Sequence, residues 1–160
     1  MQVSPPSEGG PDHPPEHLLR VGPDRVIGQG HPAGDFLQAY EWDVIDEAEG
    51  RIRVSAGLPD HALNPRGQLF GGFTGVYVDL LSLIACRAGA DRSAPGPPRP
   101  WMTTINMRID YYEPILGPTF ELEAEVEHRR GRTYLVATRM FQDDVLAVFA
   151  IATMREVVNG

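Results

Sequence analysis

Hydrophobic and polar residues alternate along much of the second half of the chain. In residues 105–111 the apolar side chains occupy the odd positions, and in residues 120–126 they occupy the even positions, between glutamates. A repeat of two places successive side chains on opposite faces, which is typical of half-buried antiparallel strands. Strand-like segments at 133–141 and 145–155 follow after short polar turns. The pattern therefore predicts a meander of antiparallel strands.

The first half of the chain combines a predicted hairpin with one long apolar segment. Segments 37–45 and 51–56 have strand-like composition and are separated by a polar turn. Residues 70–90 are almost entirely apolar, and only Asp79 and Arg87 among them are charged. Such a segment is too polar to span a membrane and predicts a helix buried on all sides. Six strands and one buried helix predict an α+β fold in which a curved antiparallel sheet wraps around one long central helix.

The composition indicates one domain preceded by an arm. The chain has 160 residues, of which 42% are hydrophobic, and this is enough for one buried core. Residues 1–34 contain seven of the 15 prolines and six of the 17 glycines. This composition predicts a disordered or loosely packed arm over residues 1–34, followed by the folded domain at 35–160.

Charge and cysteine content exclude several classes of partner. The formal net charge of -8 disfavours nucleic acid and anionic lipid as partners. No apolar stretch approaches about 20 residues and no secretion signal is visible, so we expect no membrane association and a cytoplasmic location. The single cysteine, Cys86, excludes an intrachain disulfide and a multi-cysteine zinc site. We expect Cys86 to be an unreactive core residue, and we expect no metal site.

Asp79 is the residue that a purely structural role explains worst. Its neighbours one turn away on the predicted helix are Gly75, Val76, Ser82 and Leu83, none of which is basic. Burying an unpaired carboxylate is costly. Asp79 must therefore pair with a distant arginine, become protonated, or line a wet cavity where it takes part in chemistry.

Gly71 and Gly72 open the predicted helix. The first amides of a helix have no internal acceptor, and the helix dipole favours negative charge there, so an oxyanion would fit. A tight loop-to-helix junction explains a bare Gly-Gly pair as well or better. Gly71 and Asp79 lie eight residues apart, which separates them by about 12 Å along one helix. If both serve one reaction centre they come from two copies of the chain, which predicts a homodimer.

The segment at 64–72, Asn-Pro-Arg-Gly-Gln-Leu-Phe-Gly-Gly, and Asp79 after it resemble the signature of hotdog-fold acyl-CoA thioesterases. The resemblance is to the phenylacetyl-CoA type within the 4-hydroxybenzoyl-CoA thioesterase superfamily, and it covers residues 35–158. It implies a hotdog fold and hydrolysis of an acyl-CoA without a metal or redox cofactor. It also implies a homodimer with shared active sites, alone or as a dimer of dimers (a homotetramer).

The same resemblance assigns roles to the site residues. It implies that Asp79 is the general base or nucleophile, that the Gly71 amide is the oxyanion donor, and that Asn64 positions the thioester carbonyl or the water. It places Thr104 where a Ser or Thr helps to hold the attacking water. Phe70 stands where the phenylacetyl type usually has His, so a non-catalytic acyl-CoA binding or sensor protein of this fold is the alternative. A hotdog dehydratase, which would need a well-placed His, ranks last.

Arginines cluster at the predicted turn before residue 133. An acyl-CoA needs a clamp for its phosphates, and Arg129, Arg130 and Arg132 place three planar cations together in an acidic chain. We expect these three to form the CoA phosphate rim. A solvated turn, with arginines that face the glutamates of the preceding strand, is an equally good explanation for any single one of them.

Overall fold

One antiparallel sheet of six strands and one long helix account for most of the described residues. The computed structural model describes residues 25–89 and 101–157. The strands are β1 (Asp43–Ala48), β2 (Arg51–Gly57), β3 (Trp101–Tyr111), β4 (Thr119–Arg130), β5 (Thr133–Gln142) and β6 (Val145–Val157). The helices are α1 (Pro32–Phe36) and α2 (Gly71–Ala85), with 3-10 turns at Ala39–Glu41 and Asp60–Ala62. The predicted order of two strands, one long helix and four further strands is confirmed.

The strands of the sheet follow the order β1-β2-β4-β5-β6-β3, and every neighbouring pair is antiparallel. β4, β5 and β6 form the predicted meander. The turn between β5 and β6 is tight, with positive φ angles of 50° at Asp143 and 63° at Asp144. β3 lies beside β6 at one edge of the sheet. One side of β3 therefore has no described strand next to it.

Alternate residues of the sheet face α2 and form the core. Ile52, Leu122, Val136 and Met154 come from four neighbouring strands, and all are fully buried. Tyr77 of α2 is equally buried. Removing apolar surface from water contributes about 25 cal/mol per Å², so this layer holds the helix on the sheet. The alternation predicted for residues 120–126 of β4 is confirmed.

The opposite face of the sheet is charged. Glu121 and Glu123 of β4 accept hydrogen bonds of 2.8 Å from Arg53 and 2.7 Å from Arg51, both on β2. Arg139 of β5 lies 3.8 Å from Glu123. Such pairs near the surface add little stability individually. They do explain why glutamates occupy alternate positions of β4.

The region before β1 differs from the prediction. The sequence predicts a strand from residue 37, whereas β1 begins at Asp43. Leu37 and Trp42 are buried beside short helical turns instead. Gln38 has a φ of 54°, which an extended strand does not allow. The segment has the apolar composition of a strand because its side chains face the core from these turns. The predicted strand from residue 37 is therefore wrong.

The C-terminal end of the predicted arm packs into the core. Val26 and Ile27, which fall within the arm expected over 1–34, are buried. Arg25 pairs with Asp43 at 2.7 Å. Residues 1–24 of that arm lie outside the described residues. The core therefore includes apolar side chains from upstream of position 35.

A β-bulge in β3 changes which of its residues face α2. Thr104 and Asn106 pair with consecutive residues of β6, so Ile105 between them has no partner. Met102 and Thr104 face the helix before the bulge, and Met107 takes over this face after it. Ile105, which the alternation predicts to face the core, is 54% exposed. The bulge is therefore what turns the Thr104 side chain towards α2.

The helix α2 is not buried on all sides, as the sequence predicts it to be. Tyr77 and Leu81 are fully buried, but Asp79 is half-buried and both Gly71 and Gly72 are exposed. The open flank of α2 runs beside the edge strand β3. No helix within the described ranges is long and apolar enough to cross a membrane.

Candidate active site

Asp79 makes its one described polar side-chain contact with Thr104. The Thr104 hydroxyl donates a hydrogen bond to Oδ1 of Asp79, and Thr104 Oγ1 lies 3.4 Å from Sδ of Met154. Within residues 25–89 and 101–157, no arginine lies within salt-bridge distance of the Asp79 carboxylate. A distant arginine is therefore not the partner of Asp79 among these residues. Oδ2 accepts no hydrogen bond from them and is available to a water molecule.

The start of α2 has no capping side chain. Phe70 occupies the N-cap in an extended conformation, with φ -66° and ψ 125°, and makes no side-chain hydrogen bond to the helix. Ser, Thr, Asp or Asn at this position would bond to one of the first amides. The Gly71 and Gly72 N–H groups have no acceptor among the described residues. An external acceptor that carries negative charge would be stabilised there.

Phe70 covers one side of this helix start. A Cβ on Gly72 would lie 2.7 Å from Cε1 of Phe70, so the phenyl ring lies directly against this glycine. The ring also contacts Phe73, with the ring centroids 5.3 Å apart. Phe70 supplies an apolar surface beside the open amides and no hydrogen-bonding group.

Asn64 uses its side-chain oxygen to hold the loop that leads into α2. Oδ1 accepts hydrogen bonds of 2.8 Å from the Arg66 amide and 3.2 Å from the Gln68 amide. The Nδ2 group makes one long contact of 3.4 Å to Oε1 of Gln68. The side-chain amide of Asn64 is therefore fixed in orientation, and its Nδ2 group is the part that can still donate to a ligand.

The structure brings some predicted site residues together and keeps others apart. Asp79 and Thr104 are in contact. Gly71 is at the first position of the same helix as Asp79, about 12 Å away along its axis, and Asn64 lies on the loop before it. One copy of the chain therefore keeps the predicted site residues in two separate groups, one around Asp79 and one around Gly71, which we call half-sites.

The predicted arginine rim is divided. Arg129 is paired within the chain: it lies 3.3 Å from Glu156 and its guanidinium lies 4.7 Å from the centroid of the Tyr134 ring. Arg130 and Arg132 are exposed, and neither has a carboxylate within salt-bridge distance among the described residues. Of the three arginines, Arg130 and Arg132 have a guanidinium without an ion-pair partner among the described residues.

The arginine turn lies at the same end of the sheet as Thr104. Across the sheet, Arg130 of β4 pairs with Thr133 of β5, and Thr133 pairs with Arg155 of β6. Arg155 pairs in turn with Thr103 of β3. Three strand spacings of about 4.8 Å place the Arg130 and Thr103 backbones about 14 Å apart. The two cations are therefore within reach of an extended ligand that ends near Asp79.

Tyr111 is a contact that the sequence does not predict. Its hydroxyl donates a hydrogen bond of 2.8 Å to the Gly71 carbonyl oxygen. Tyr111 also borders a cavity of about 230 Å³, together with Gln68, Thr74, Tyr112 and Glu113. The alternating pattern of β3 shows that Tyr111 shares a face with Ile109, but the target of its hydroxyl depends on how α2 crosses the strand. No group of three His, Cys, Asp or Glu residues that could hold a metal ion occurs in the described part of the chain.

A family model of the thioesterase superfamily matches residues 66–148, just over half of the chain. The protein therefore belongs to the thioesterase superfamily. The matched range includes Gly71, Asp79, Thr104 and Tyr111. No match was found among curated proteins.

Several solved structures share the fold of this chain. A phenylacetic acid degradation-related protein of Ralstonia eutropha JMP134 has a TM-score of 0.65 at 21% identity, covering 80% of this chain and 92% of that chain. The Escherichia coli PaaI protein of the phenylacetic acid degradation operon has a TM-score of 0.65 at 16% identity, covering 82% and 88%. A "hypothetical thioesterase protein" of Streptococcus pneumoniae TIGR4, solved with coenzyme A, has a TM-score of 0.63 at 16% identity, covering 73% and 86%. The fold is the hotdog fold, as the sequence resemblance implied.

We predict that Cys86 resists alkylation in the folded protein. Burial raises the pKa of its thiol to about 12, so at pH 8 almost none of it is the reactive thiolate. Iodoacetamide at pH 8, followed by mass spectrometry, should show labelling roughly a thousandfold slower than in protein unfolded by guanidinium. Rapid labelling of the folded protein would contradict an unreactive core thiol.

Proposed function

We propose that this protein is an acyl-CoA thioesterase, which hydrolyses a CoA thioester to the free acid and CoA. The observation that supports this most directly is Asp79, a half-buried carboxylate held by a hydroxyl and lacking any described cationic partner. A carboxylate without an ion-pair partner has an oxygen that can bind a water molecule and accept its proton. Membership of the thioesterase superfamily supports the reaction type.

Each proposed residue has one task in the reaction. Asp79 accepts a proton from water as the water oxygen attacks the thioester carbonyl carbon, and the Gly71 amide donates to the oxyanion that forms. When this intermediate collapses, the carbon–sulfur bond breaks and CoA leaves as the thiolate, which takes up the proton that Asp79 accepted, so the carboxylate is restored. Thr104 donates to Asp79, so its oxygen can accept from the attacking water. Asn64 can donate to the carbonyl through Nδ2.

We propose that two copies of the chain share each site by pairing at the free edge of β3. In one copy, α2 and β3 run in opposite directions, with Gly71 at the Tyr111 end of the strand and Asp79 at the Thr104 end. A two-fold axis that pairs the two β3 edges antiparallel sets the Tyr111 end of one copy beside the Thr104 end of the other. Gly71 of one copy then faces Asp79 of its partner.

The exposed apolar side chains of β3 support this pairing. Ile105 is 54% exposed, and Trp101 at the start of the strand is also exposed. A free edge of 11 residues with such side chains is a site for association with another strand. The homodimer removes this edge from solvent, and a dimer of dimers is compatible with it.

The proposed ligand is an acyl-CoA, bound without any metal or redox cofactor. A related structure contains coenzyme A, and here the exposed Arg130 and Arg132 are the cations for its phosphates. We leave Arg129 out of the proposed rim because Glu156 already neutralises it. The net charge of -8 makes a local basic turn all the more necessary for an anionic ligand.

A non-catalytic acyl-CoA binding or sensor protein is the second candidate. Phe70 favours it, because its ring lies against Gly72 and offers no donor to a carbonyl. Such a protein would use the same pocket and arginines, and would bind acyl-CoA saturably without releasing CoA.

We expect Asp79→Asn to lower kcat for acyl-CoA hydrolysis by about 100-fold or more, because the substitution removes the proton acceptor. Release of CoA thiol across a panel of acyl-CoAs measures this. Glu121→Gln is the matched control: Glu121 is a half-buried carboxylate on β4, outside the proposed interface, that accepts a 2.8 Å hydrogen bond from Arg53, and its substitution should leave kcat unchanged. Full turnover by Asp79→Asn would refute the role of Asp79, and binding without turnover by the wild type would favour the sensor.

We expect Arg130→Ala to raise KM for acyl-CoA about threefold to tenfold, because it removes a charge-assisted contact to phosphate. KM for the matching acyl-pantetheine, which lacks those phosphates, should not change. Arg53→Ala serves as the control, since Arg53 lies on β2 and is bonded to Glu121. Equal effects of Arg130→Ala on both substrates would remove Arg130 from the rim.

A further inference from the structure

Tyr111 ties the start of α2 to the edge strand β3. Its hydroxyl donates a 2.8 Å hydrogen bond to the Gly71 carbonyl oxygen. Its ring lies against the same residue, because a Cβ on Gly71 would be 3.8 Å from Cε1 of Tyr111. The side chain is nevertheless 54% exposed, so burial alone does not account for its position. The hydrogen bond is the specific contact.

This contact fixes the direction of a backbone amide. The Gly71 carbonyl and the Gly72 N–H belong to one planar peptide unit, so a bond that holds the oxygen also holds the N–H. The preceding peptide is held in a different way, since the Phe73 amide donates 2.9 Å to the Phe70 carbonyl. That bond fixes the Gly71 N–H. Tyr111 therefore completes the alignment of two successive amides.

The helix itself holds the Gly71 carbonyl through the bond from the Gly75 amide that an α-helix makes, and Tyr111 adds a second restraint from outside the helix. Two successive glycines have the greatest backbone freedom of any pair of residues, and helix ends fray. Phe70 at the N-cap makes no side-chain hydrogen bond to the helix. Tyr111, in contrast, sits on a strand that is paired along its length with β6. The strand supplies the rigidity that the glycines lack.

We propose that Tyr111 is a positioning residue that holds the Gly71–Gly72 peptide so that both glycine amides donate to the oxyanion. This inference rests on the proposed thioesterase function. Donors fixed in advance stabilise charge that develops in the transition state without reorganising during the reaction. Tyr111 therefore acts on kcat through the backbone and does not touch the substrate itself.

The same strand then supports both half-sites. Thr104 of β3 holds Asp79, and Tyr111 of β3 holds Gly71. In the proposed dimer, each reaction centre is assembled from the Thr104 end of one β3 and the Tyr111 end of the other. The spacing between these two residues along β3 thus sets the geometry of the centre.

Tyr112 is a matched control for Tyr111. The two tyrosines are adjacent, are 54% and 56% exposed, and border the same cavity. The Tyr112 hydroxyl has no hydrogen-bond partner among the described residues, and its backbone amide bonds to Ala147 at 2.9 Å. Substituting Phe at either position keeps the ring and removes only the hydroxyl.

The kinetic test compares Tyr111→Phe with Tyr112→Phe. We expect Tyr111→Phe to lower kcat about threefold to tenfold, the value of one ordinary hydrogen bond, with KM unchanged. Tyr112→Phe should match the wild type in both constants. Thermal unfolding of both variants verifies that the fold is intact.

A spectroscopic test reports on the amides directly. A thioester labelled with carbon-13 at its carbonyl is bound to Asp79→Asn protein, in which hydrolysis is blocked, and its carbonyl stretch is recorded by infrared spectroscopy. Donation from the two amides lowers the stretching frequency, and we expect a smaller shift when Tyr111→Phe is added but not when Tyr112→Phe is added.

The outcomes separate this inference from the proposed function. If the wild type hydrolyses acyl-CoA and Tyr111→Phe changes neither kcat nor the carbonyl frequency, the positioning role is wrong and the thioesterase stands. A lower kcat with an unchanged frequency also overturns the role, because the hydroxyl then acts elsewhere. If the wild type hydrolyses no thioester, both the function and the role of Tyr111 fall.

Discussion

The hydrogen bond from Thr104 to Asp79 is the contact on which the proposed chemistry depends. A carboxylate on an apolar helix costs several kcal/mol to desolvate unless donors or water compensate it. Here the compensation is one hydroxyl on one side and solvent access on the other. The hydroxyl reaches Asp79 because the bulge at Ile105 turns Thr104 towards the helix. Thr104 and Met107 are three residues apart, so a regular strand would place them on opposite faces. The extra residue at the bulge puts both on the face towards α2.

The geometry of α2 and β3 is the reason why the proposed reaction needs a second copy of the chain. A helix is rigid, so the rise of 1.5 Å per residue keeps Gly71 and Asp79 about 12 Å apart in every copy. The helix and the strand are connected at both of these points, through Tyr111 and Thr104. The proposed antiparallel pairing of two β3 strands brings the opposite ends together. In the proposed function, the homodimer and the reaction therefore depend on the same arrangement of α2 and β3.

The sequence was sufficient for the order of the strands and the long helix, but not for the start of β1 or for the exact contacts between elements. The alternation in β4 and the apolar run of α2 follow from burial, and the hydrophobic pattern of the sequence records burial directly. The hydrophobic pattern does not reveal the bulge at Ile105. One extra residue changes which side chains point to each face of the sheet without changing the composition of the strand. The isolation of Asp79 was visible from its helical neighbours. The pairing of Arg129 with Glu156 and the contact of Tyr111 with Gly71 join residues far apart in the chain, and these depend on strand order and helix crossing.

Hybrid dimers test most directly whether two copies share each site. Gly71→Pro removes the Gly71 N–H at the first helical position, where proline is well tolerated, and the extended Phe70 before it suits a following proline. Asp79→Ala removes the carboxylate of the other half-site, so each variant alone should retain at most about 1% of the wild-type rate. Mixing and refolding the two in equal amounts should restore about one quarter of the wild-type rate, since half of the dimers are hybrids and each hybrid has one intact site. No recovery in verified hybrid dimers would contradict a shared site.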